Sequence, residues 1–449
     1  MVRRDEWKGL AVGLLAWALV AAQTGRAGEW QRAGATRTRT ADARSGRSVI
    51  ARQPAPPSED DAPEPRSDSL TAPGEPVEIW EDEYPPVDYG CGSNFGCGVW
   101  YADFDLLLWW RSGQDIPALV TTSTDGTAQA DAGVLGLPTT TVLLGNQEIS
   151  DGNRVGGRVS VGTWFDPCQV NGVLARFYSL ADDHATYGYS SSDYPILGRP
   201  FFNVTTSAED ARLVAYPGLS TGSIDVETRS DFVGGDVVLR LMLNQGACWR
   251  LDLIGGYQAA RIDESIRIRD SLTSTATGGN IPFGTVVDVE DYFGTRNTYH
   301  AGVVGAIWEY DNGCGALSLR AAVGLGNMRQ EVTVRGSTTT TAPGGPATTV
   351  DSGFLTQPSN IGNYVQDEFA VAPELSLRAR WYLSDRVALT AGYTLLYYSQ
   401  VARPGEQIDR SLNLTQVPGP IVGESRPAFQ FHSGSLLLHG VQLGIRAEF

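Results

Sequence analysis

The sequence has little charge, few cations and almost no long apolar runs. Only 19% of its residues are charged, and 34 basic residues face 51 acidic ones, a net charge of −17. Because no basic stripe is present to neutralise phosphates, nucleic acid is excluded as a partner. Glycine, in contrast, is abundant, with 52 residues of 449. This composition is typical of a large β protein with many turns rather than of a helical protein.

The only long apolar run lies near the start of the sequence. Residues 9–22 are apolar and are flanked by basic residues, and Gly25 and Ala27 offer small residues for cleavage. This pattern predicts a secretory signal peptide over residues 1–27. A membrane anchor is the alternative, but the run is shorter than the roughly 20 residues that a spanning helix needs. Since no later segment is apolar enough to span as a helix, a membrane-embedded chain must form a closed β-barrel.

Residues 28–90 have too few apolar side chains to offset the entropy of ordering. An Arg/Thr/Ala stretch passes into a Pro-rich acidic stretch, which predicts a disordered periplasmic spacer. The opposite charges of the two halves leave a tether along the cell wall as the alternative. We assign residues 91–449 to the barrel.

The last residues alternate between two faces. Val441, Leu443, Ile445, Ala447 and Phe449 are apolar, and the residues between them are polar or glycine. Side chains on a strand point alternately to opposite sides, so this strand has one apolar face. An aromatic residue at the end of that face is typical of a strand that ends at a membrane interface.

The rest of the sequence predicts a transmembrane, up-and-down antiparallel barrel. We predict ten strands, with twelve as the alternative count: 100–110, 154–165, 172–180, 224–243, 248–268, 286–310, 316–335, 369–383, 386–401 and 436–449. Their connections alternate strictly between long and short, as expected for long extracellular loops and short periplasmic turns. The first and last strands then lie on one side, where they can pair and leave no open edge.

The inner face of this barrel is predicted to be charged. Alternation places the following charged side chains in the lumen: Arg158, Arg176, Arg240, Arg320, Glu374, Arg378 and Arg446. A barrel of about eight strands is filled by its side chains, whereas open porins use about sixteen. We therefore expect a narrow lumen crowded with paired charges, because unpaired buried arginines are costly.

Tryptophans provide a second indication of membrane interfaces. With the short turns on the periplasmic side, five of them fall at the end that holds Phe449, namely Trp100, Trp164, Trp249, Trp308 and Trp381. Trp109 and Trp110 fall at the other end. Two aromatic girdles flanking an apolar band are expected of a membrane barrel.

Two outer loops contain Arg-Pro units, at Arg199 and Arg403. We hypothesise that these loops fold back into the barrel mouth and that both arginines pair with acidic residues there. The candidate partners are Asp291, Asp367, Glu368 and Asp409. Ordinary turn chemistry is the equal alternative.

An ordered set of motifs resembles a known family. DFDLLLWW (103–110), GGRVSVGTWFD (156–166), RPFFN (199–203), LDLIGGYQAARIDE (251–264) and the long run from SNIGNYVQDEF to RPGEQID (359–409) resemble a planctomycete-type family of outer-membrane β-barrel proteins labelled as porins. The resemblance implies an outer-membrane barrel and no assigned function. The end of the chain is also similar to the signal read by the barrel-insertion machinery, a resemblance that assigns the signal to Leu443, Ile445, Ala447 and Phe449.

Little in the sequence points to catalysis or to a cofactor. Asp182, Asp183 and His184 are the candidate catalytic group, but adjacent strand residues face opposite ways, so we expect no enzyme. Cys91 and Cys97 could close a small disulfide loop in an oxidising periplasm. The other cysteines, Cys168, Cys248 and Cys314, lie in or beside short turns.

These observations favour a structural or surface-interaction barrel in the outer membrane. A narrow channel for ions or small solutes is the second hypothesis, and a membrane-embedded hydrolase is the third. Expected partners are the membrane lipid, the insertion machinery and a cell-wall or surface partner; no cofactor or metal is expected.

Overall fold

The computed structural model describes residues 100–150, 152–277, 281–416 and 419–449. The predicted signal peptide and spacer, together with Cys91 and Cys97, lie outside the described residues. The described chain has two short 3-10 helices (Gly405–Gln407 and Leu414–Gln416) and these strands: β1 (Trp100–Arg111), β2 (Gln114–Ile116), β3 (Val120–Ser123), β4 (Thr140–Leu144), β5 (Gln147–Ile149), β6 (Asn153–Trp164), β7 (Asn171–Ser190), β8 (Leu197–Asn203), β9 (Ala208–Ala215), β10 (Ser220–Gln245), β11 (Trp249–Ser274), β12 (Val286–Asp311), β13 (Gly315–Thr341), β14 (Ala347–Val350), β15 (Gly362–Ser384), β16 (Val387–Ala402), β17 (Ser411–Leu412) and β18 (Ser433–Glu448). Within these residues, no helix has the length and hydropathy needed to cross a membrane.

Ten strands form one closed antiparallel ring. Their order around the ring is β1, β6, β7, β10, β11, β12, β13, β15, β16 and β18. The ring closes where β1 pairs with β18, from Tyr101 opposite Glu448 to Arg111 opposite Leu438. Each of the ten predicted segments coincides with one ring strand, so the predicted fold class and strand count are confirmed.

The connections define two ends of the barrel. Residues 165–170, 246–248, 312–314 and 385–386 join strands at what we call the short-turn end, and residues 112–152, 191–219, 275–285, 342–361 and 403–432 join them at the long-loop end. Along the chain, short turns and long loops between ring strands thus alternate as predicted.

The two faces of the ring strands differ as the alternation requires. On β10 the outward Leu239 is 62% exposed while the inward Arg240 is buried. On β15 the outward Phe369 is 68% exposed and the inward Glu374 is buried. Apolar side chains of this size are left exposed all around the middle of the ring, as expected where lipid rather than water covers them.

Four ring strands are much longer than a membrane requires. Strands β10, β11, β12 and β13 contain 26 or 27 residues, whereas a transmembrane strand needs about 9–11. Several strands continue past their predicted ends at the long-loop end, and β7 continues from residue 180 to Ser190. Near the long-loop end the outward positions of β10–β13 are mostly charged or polar, for example Glu227, Arg267 and Glu331, so the apolar alternation that marks a membrane strand is lost there.

The long loops fold into the mouth of the ring. Strands β17, β8, β3 and β4 form a small sheet in that order, with β9 paired to β8, and β2 pairs with β5. Loop residues such as Leu119, Leu144 and Phe201 pack in one apolar core with inward wall residues such as Ile266 and Val332. The sequence did not indicate strands in these segments, because the strands are short and pair only with other loop segments.

The tryptophan girdles are only partly as predicted. Trp100, Trp110 and Trp381 are exposed on the outer face. Trp109 and Trp164, however, are buried inside the ring, so placing them in the girdles was wrong. Height along a strand does not decide the side on which a residue faces, and the alternation on β1 and β6 turns these two inward.

Candidate functional site

The lumen nearest the short-turn end holds a dense set of charges, which we call the lumen charge cluster. Nine of the ten ring strands contribute to it, and its members are Asp103, Asp105, Arg158, Arg176, Asp236, Arg240, Arg250, Asp252, Glu309, Arg320, Glu374, Arg378, Arg380 and Arg446. All seven charged residues predicted for the lumen lie in this cluster. The remaining ring strand, β16, adds the Thr390 hydroxyl, which donates to Asp105 at 3.2 Å.

Most carboxylates in the lumen charge cluster serve two arginines. Asp105 binds Arg158 at 2.9 Å and Arg378 at 2.6 Å. Glu374 binds Arg176 at 2.6 Å and accepts a longer bond, 3.4 Å, from Arg320. Buried ion pairs of this kind are needed because an unmatched buried charge is strongly unfavourable.

Trp164 belongs to the same region. Its ring lies under two guanidinium groups, with the Arg240 and Arg250 carbons 4.4 and 4.1 Å from the ring centroid. Cation–π contacts of this geometry are stronger where water is excluded. The inward tryptophan therefore stabilises the charge cluster instead of anchoring the barrel at an interface.

A layer of aromatic rings lies above the lumen charge cluster, and we call it the central aromatic layer. Its members are Trp109, Tyr178, Phe232, Tyr299 and Tyr398, all buried. Neighbouring rings in the layer are 5.4–6.1 Å apart between centroids. These residues come from five strands around the ring, so the layer packs across the lumen at this level. The sequence alone did not indicate this layer, although each of its residues occupies an inward position.

A second group of charges joins the loops to the wall above this layer. Glu264 on β11 accepts from Arg403 at 2.6 Å and also binds Arg111. Arg403 donates to the Gly113 carbonyl at 3.2 Å and is 1% exposed. The loop that follows β16 is thereby held to β11 and to the loop that follows β1, inside the barrel.

A third group surrounds Arg199, which is also 1% exposed. Its guanidinium group binds Asp270 at 2.8 Å and Asp291 at 2.6 Å. The other oxygen of Asp291 accepts from the backbone N–H groups of Leu355 and Thr356, both at 2.9 Å. One wall carboxylate thus holds two different loops in the mouth.

The structure places both predicted loop anchors inside the barrel mouth, but with a partly different set of partners. Arg199 pairs with Asp291, as proposed, and Arg403 pairs with Glu264, which the prediction did not include. The other predicted partners are not available: Asp409 pairs with Arg426 inside its own loop, and Asp367 and Glu368 contact neither arginine.

The sequence did contain a signal for the missed wall carboxylates. On β11 the inward residues above the central aromatic layer are Ile262, Glu264, Ile266, Ile268 and Asp270. Each acid interrupts an apolar inward stripe, and each pairs with an arginine from a loop. Glu264 is an even number of residues from Arg250 on β11, so the alternation that places Arg250 inward also places Glu264 inward.

The candidate catalytic residues are divided between two faces of β7. Asp183 pairs with Arg154 on the inner side. Asp182 and His184 line a groove of about 570 Å³ on the outer face of β7 and β10–β13, together with Arg229, Asp231 and Asp263, and Asp183 also borders it. Among the residues that the structure describes, no group of three His, Cys, Asp or Glu side chains could hold a metal ion.

The predicted insertion signal lies on the outer face of β18. Leu443, Ile445 and Phe449 are exposed there, and Phe449 is 74% exposed. Ala447 is half-buried opposite Ala102 of β1 and Val387 of β16. Cys168, Cys248 and Cys314 lie in three different connections at the short-turn end.

These features define a transmembrane β-barrel of the outer-membrane type, with ten strands and folded loops in its mouth. Residues 101–449 match the model of the family described as Putative beta barrel porin-7 (BBP7), and the chain belongs to this family. The family match confirms the resemblance to β-barrel porin-type proteins, while the planctomycete-type origin stays a prediction.

Two solved structures show how this chain compares with known barrels. It is similar to the outer membrane protease OmpT from Escherichia coli, with 9% identity, 80% of this chain and 98% of that chain covered, and a TM-score of 0.32. It is also similar to a Pseudomonas aeruginosa FadL homologue, with 8% identity, 78% and 90% coverage, and a TM-score of 0.20. No curated protein matches the sequence.

Proposed function

We propose that this protein is an outer-membrane barrel with a closed lumen, and that its role is structural or in surface interaction. The observation that carries the proposal is the central aromatic layer, in which Tyr178 contacts Tyr398 from the opposite wall. Charges fill the lumen below this layer and folded loops fill it above. An open pore would need a continuous polar path, which this filling opposes.

The orientation follows from the two ends. In outer-membrane barrels short turns face the periplasm and long loops face the exterior. The charged extensions of β10–β13 would then project from the cell together with the loops. Apolar side chains such as Phe283 and Val422, 62% and 70% exposed in these loops, would contact a surface partner.

Conductance separates this function from the narrow-channel alternative. Full-length protein inserted in a planar bilayer is expected to show no stable current steps in salt solution. Tyr398→Gly, which removes a ring from the central aromatic layer, is measured in the same way for comparison. Heat-modifiable gel migration shows whether this variant has folded. Regular current steps from the unaltered protein would favour the channel instead.

Location and orientation are tested on intact cells. We expect the protein in the outer-membrane fraction, and a cysteine introduced at Val422 is expected to react with an impermeant thiol reagent. A cysteine introduced at Asp385, in a short turn, serves as the matched control and should react only after the cells are opened. The reverse labelling pattern would contradict the proposed orientation.

Recognition by the barrel-insertion machinery is a further part of the proposal. Its support is the exposed outward face of β18, which ends at Phe449. Replacing Phe449 by Ala should reduce the share of newly made protein that becomes heat-modifiable in the membrane. Asn244→Ala, at the short-turn end of β10, is the control, and an equal reduction there would argue against a signal at the chain's end.

A further inference from the structure

A cavity of about 70 Å³ lies within the lumen charge cluster. About 10–15 Å³ is enough for one water molecule, so the space is large enough for a small polyatomic ion. Seven arginines line the cavity, but only two carboxylates do, Asp103 and Glu309. The lining arginines are Arg158, Arg176, Arg240, Arg320, Arg378, Arg380 and Arg446.

Three donors in the cavity wall have no acceptor among the described residues. They are Arg320 Nη1, Arg380 Nε and Ser160 Oγ, and each belongs to a residue that is at most 6% exposed. A buried donor without a partner costs free energy comparable to a lost hydrogen bond. The wall therefore has unused capacity to donate, and its one acceptor without a hydrogen bond, Asp103 Oδ1, lies 3.1 Å from Arg378 Nη1.

The ion pairs of these two arginines are also among the longer ones of the cluster. Arg320 lies 3.4 Å from both Asp236 and Glu374, and Arg380 lies 3.8 Å from Glu309. Asp236 and Glu374 are already engaged at shorter distances by Arg176. Because these carboxylates are held by another cation, they leave Arg320 only partly neutralised.

The cation type fits an oxygen anion. Every basic residue from position 100 onward is arginine rather than lysine. The planar guanidinium group donates two parallel hydrogen bonds to a carboxylate, phosphate or sulfate, which an ammonium group does not. Two such groups and one hydroxyl around a small cavity are suited to an oxyanion and unsuited to a cation.

Access is from the short-turn end. Arg446 and Arg378 at the cavity retain 11% and 14% side-chain exposure, whereas the central aromatic layer closes the opposite side. We propose that this cavity binds one small oxyanion of the phosphate, sulfate or carboxylate class, received from the short-turn side. Arg320, Arg380 and Ser160 supply the hydrogen bonds, and the site does not depend on what the outer loops contact.

The experiment uses the full-length protein in neutral detergent at constant ionic strength, with inorganic phosphate, sulfate and acetate as separate probes and chloride as the background anion. Calorimetric titration should give saturable binding of at least one oxyanion at one site per chain. The same oxyanion should raise the unfolding temperature, because a ligand that binds only the folded state stabilises it. Absence of saturable binding for all three probes overturns the proposal.

Variants assign the binding to this cavity. Arg320→Gln and Arg380→Gln should each weaken the affinity by about tenfold or more, as expected for a lost hydrogen bond to a charged group. Ser160→Ala leaves every ion pair intact and should weaken it less, so it tests the site even if an arginine variant fails to fold. Arg329→Gln removes the same charge from the outer face, where the side chain is 49% exposed, and should leave the affinity unchanged. Equal affinities in Ser160→Ala, in the folded arginine variants and in the unaltered protein would also overturn the proposal.

Discussion

Tyr178 and Tyr398 meet in the middle of the lumen, with their hydroxyl oxygens 3.4 Å apart. They belong to β7 and β16, which are separated around the ring by three strands on one side and five on the other. Their contact therefore joins opposite walls of the barrel. The contact makes the interior a packed core at this level. Shortening a side chain in such a core should destabilise the fold, as it does in the cores of soluble proteins.

Truncating this contact should destabilise the barrel. Tyr398→Ala removes a ring that packs against Phe232 and Tyr299, and a loss of about 3–5 kcal/mol in the free energy of unfolding is expected for a buried aromatic. Urea unfolding in lipid vesicles measures it. Tyr257→Ala, on the half-exposed outer face, is the control, and similar losses for both would show that the central aromatic layer is not a packed core.

Arg403 should hold its loop inside the barrel mouth. Arg403→Ala leaves Glu264 with Arg111 as its remaining partner. We therefore expect the free energy of unfolding to fall by less than the roughly 3–5 kcal/mol that is expected when a buried charge loses every partner. Limited proteolysis should cleave residues 403–432 faster. Arg426→Ala changes a more exposed ion pair of the same loop, for which about 0–1 kcal/mol is expected. Unchanged proteolysis of Arg403→Ala would count against the anchoring role.

Asp291 should act on two loops at once. Asp291→Asn removes the charge that faces Arg199 and one of the acceptors for the 351–361 loop, so a loss of about 1–3 kcal/mol is expected. Hydrogen exchange should increase both in β8 and around Leu355. Asp288→Asn, on the exposed face of the same strand, is the matched control. Faster exchange confined to one loop would contradict the shared anchor.

Glu406 should make stability depend on pH. Burial raises the pKa of this loop carboxyl, and the nearby Arg403 offsets part of the rise. Because the pKa of Glu406 is higher in the folded than in the unfolded protein, its contribution to stability is complete at pH values below the unfolded pKa of about 4.3. This contribution is lost as the pH rises through the folded pKa. Glu406→Gln should therefore raise the unfolding temperature at neutral pH and leave it nearly unchanged near pH 4.

The same comparison with Glu424→Gln provides the control, since Glu424 is an exposed residue of the same loop. Thermal unfolding of the three proteins at both pH values is the measurement. A gain in stability for Glu406→Gln that is equal at both pH values, or equal to that of Glu424→Gln, would show that burial of this carboxyl is not the cause.

Local alternation was sufficient to predict the ring. On most strands the alternation indicates which side faces lipid, and it predicted seven charged residues for the lumen because a period of two needs no knowledge of distant partners. It was not sufficient for Trp109 and Trp164, which were assigned by height along the strand without regard to parity. Nor could it predict that β7 continues from residue 180 to Ser190, since lipid no longer selects apolar outward residues there.

The sequence by itself determined the strands, their faces and the alternation of turns and loops, because these depend on neighbours a few residues apart. Only the tertiary structure decided which charges pair and how the loops fill the mouth. Arg176 and Glu374 are 198 residues apart in the sequence, and Arg403 and Glu264 are 139 apart. Closing the ring brings such residues together, and burial then makes the pairing of each charge a condition of stability.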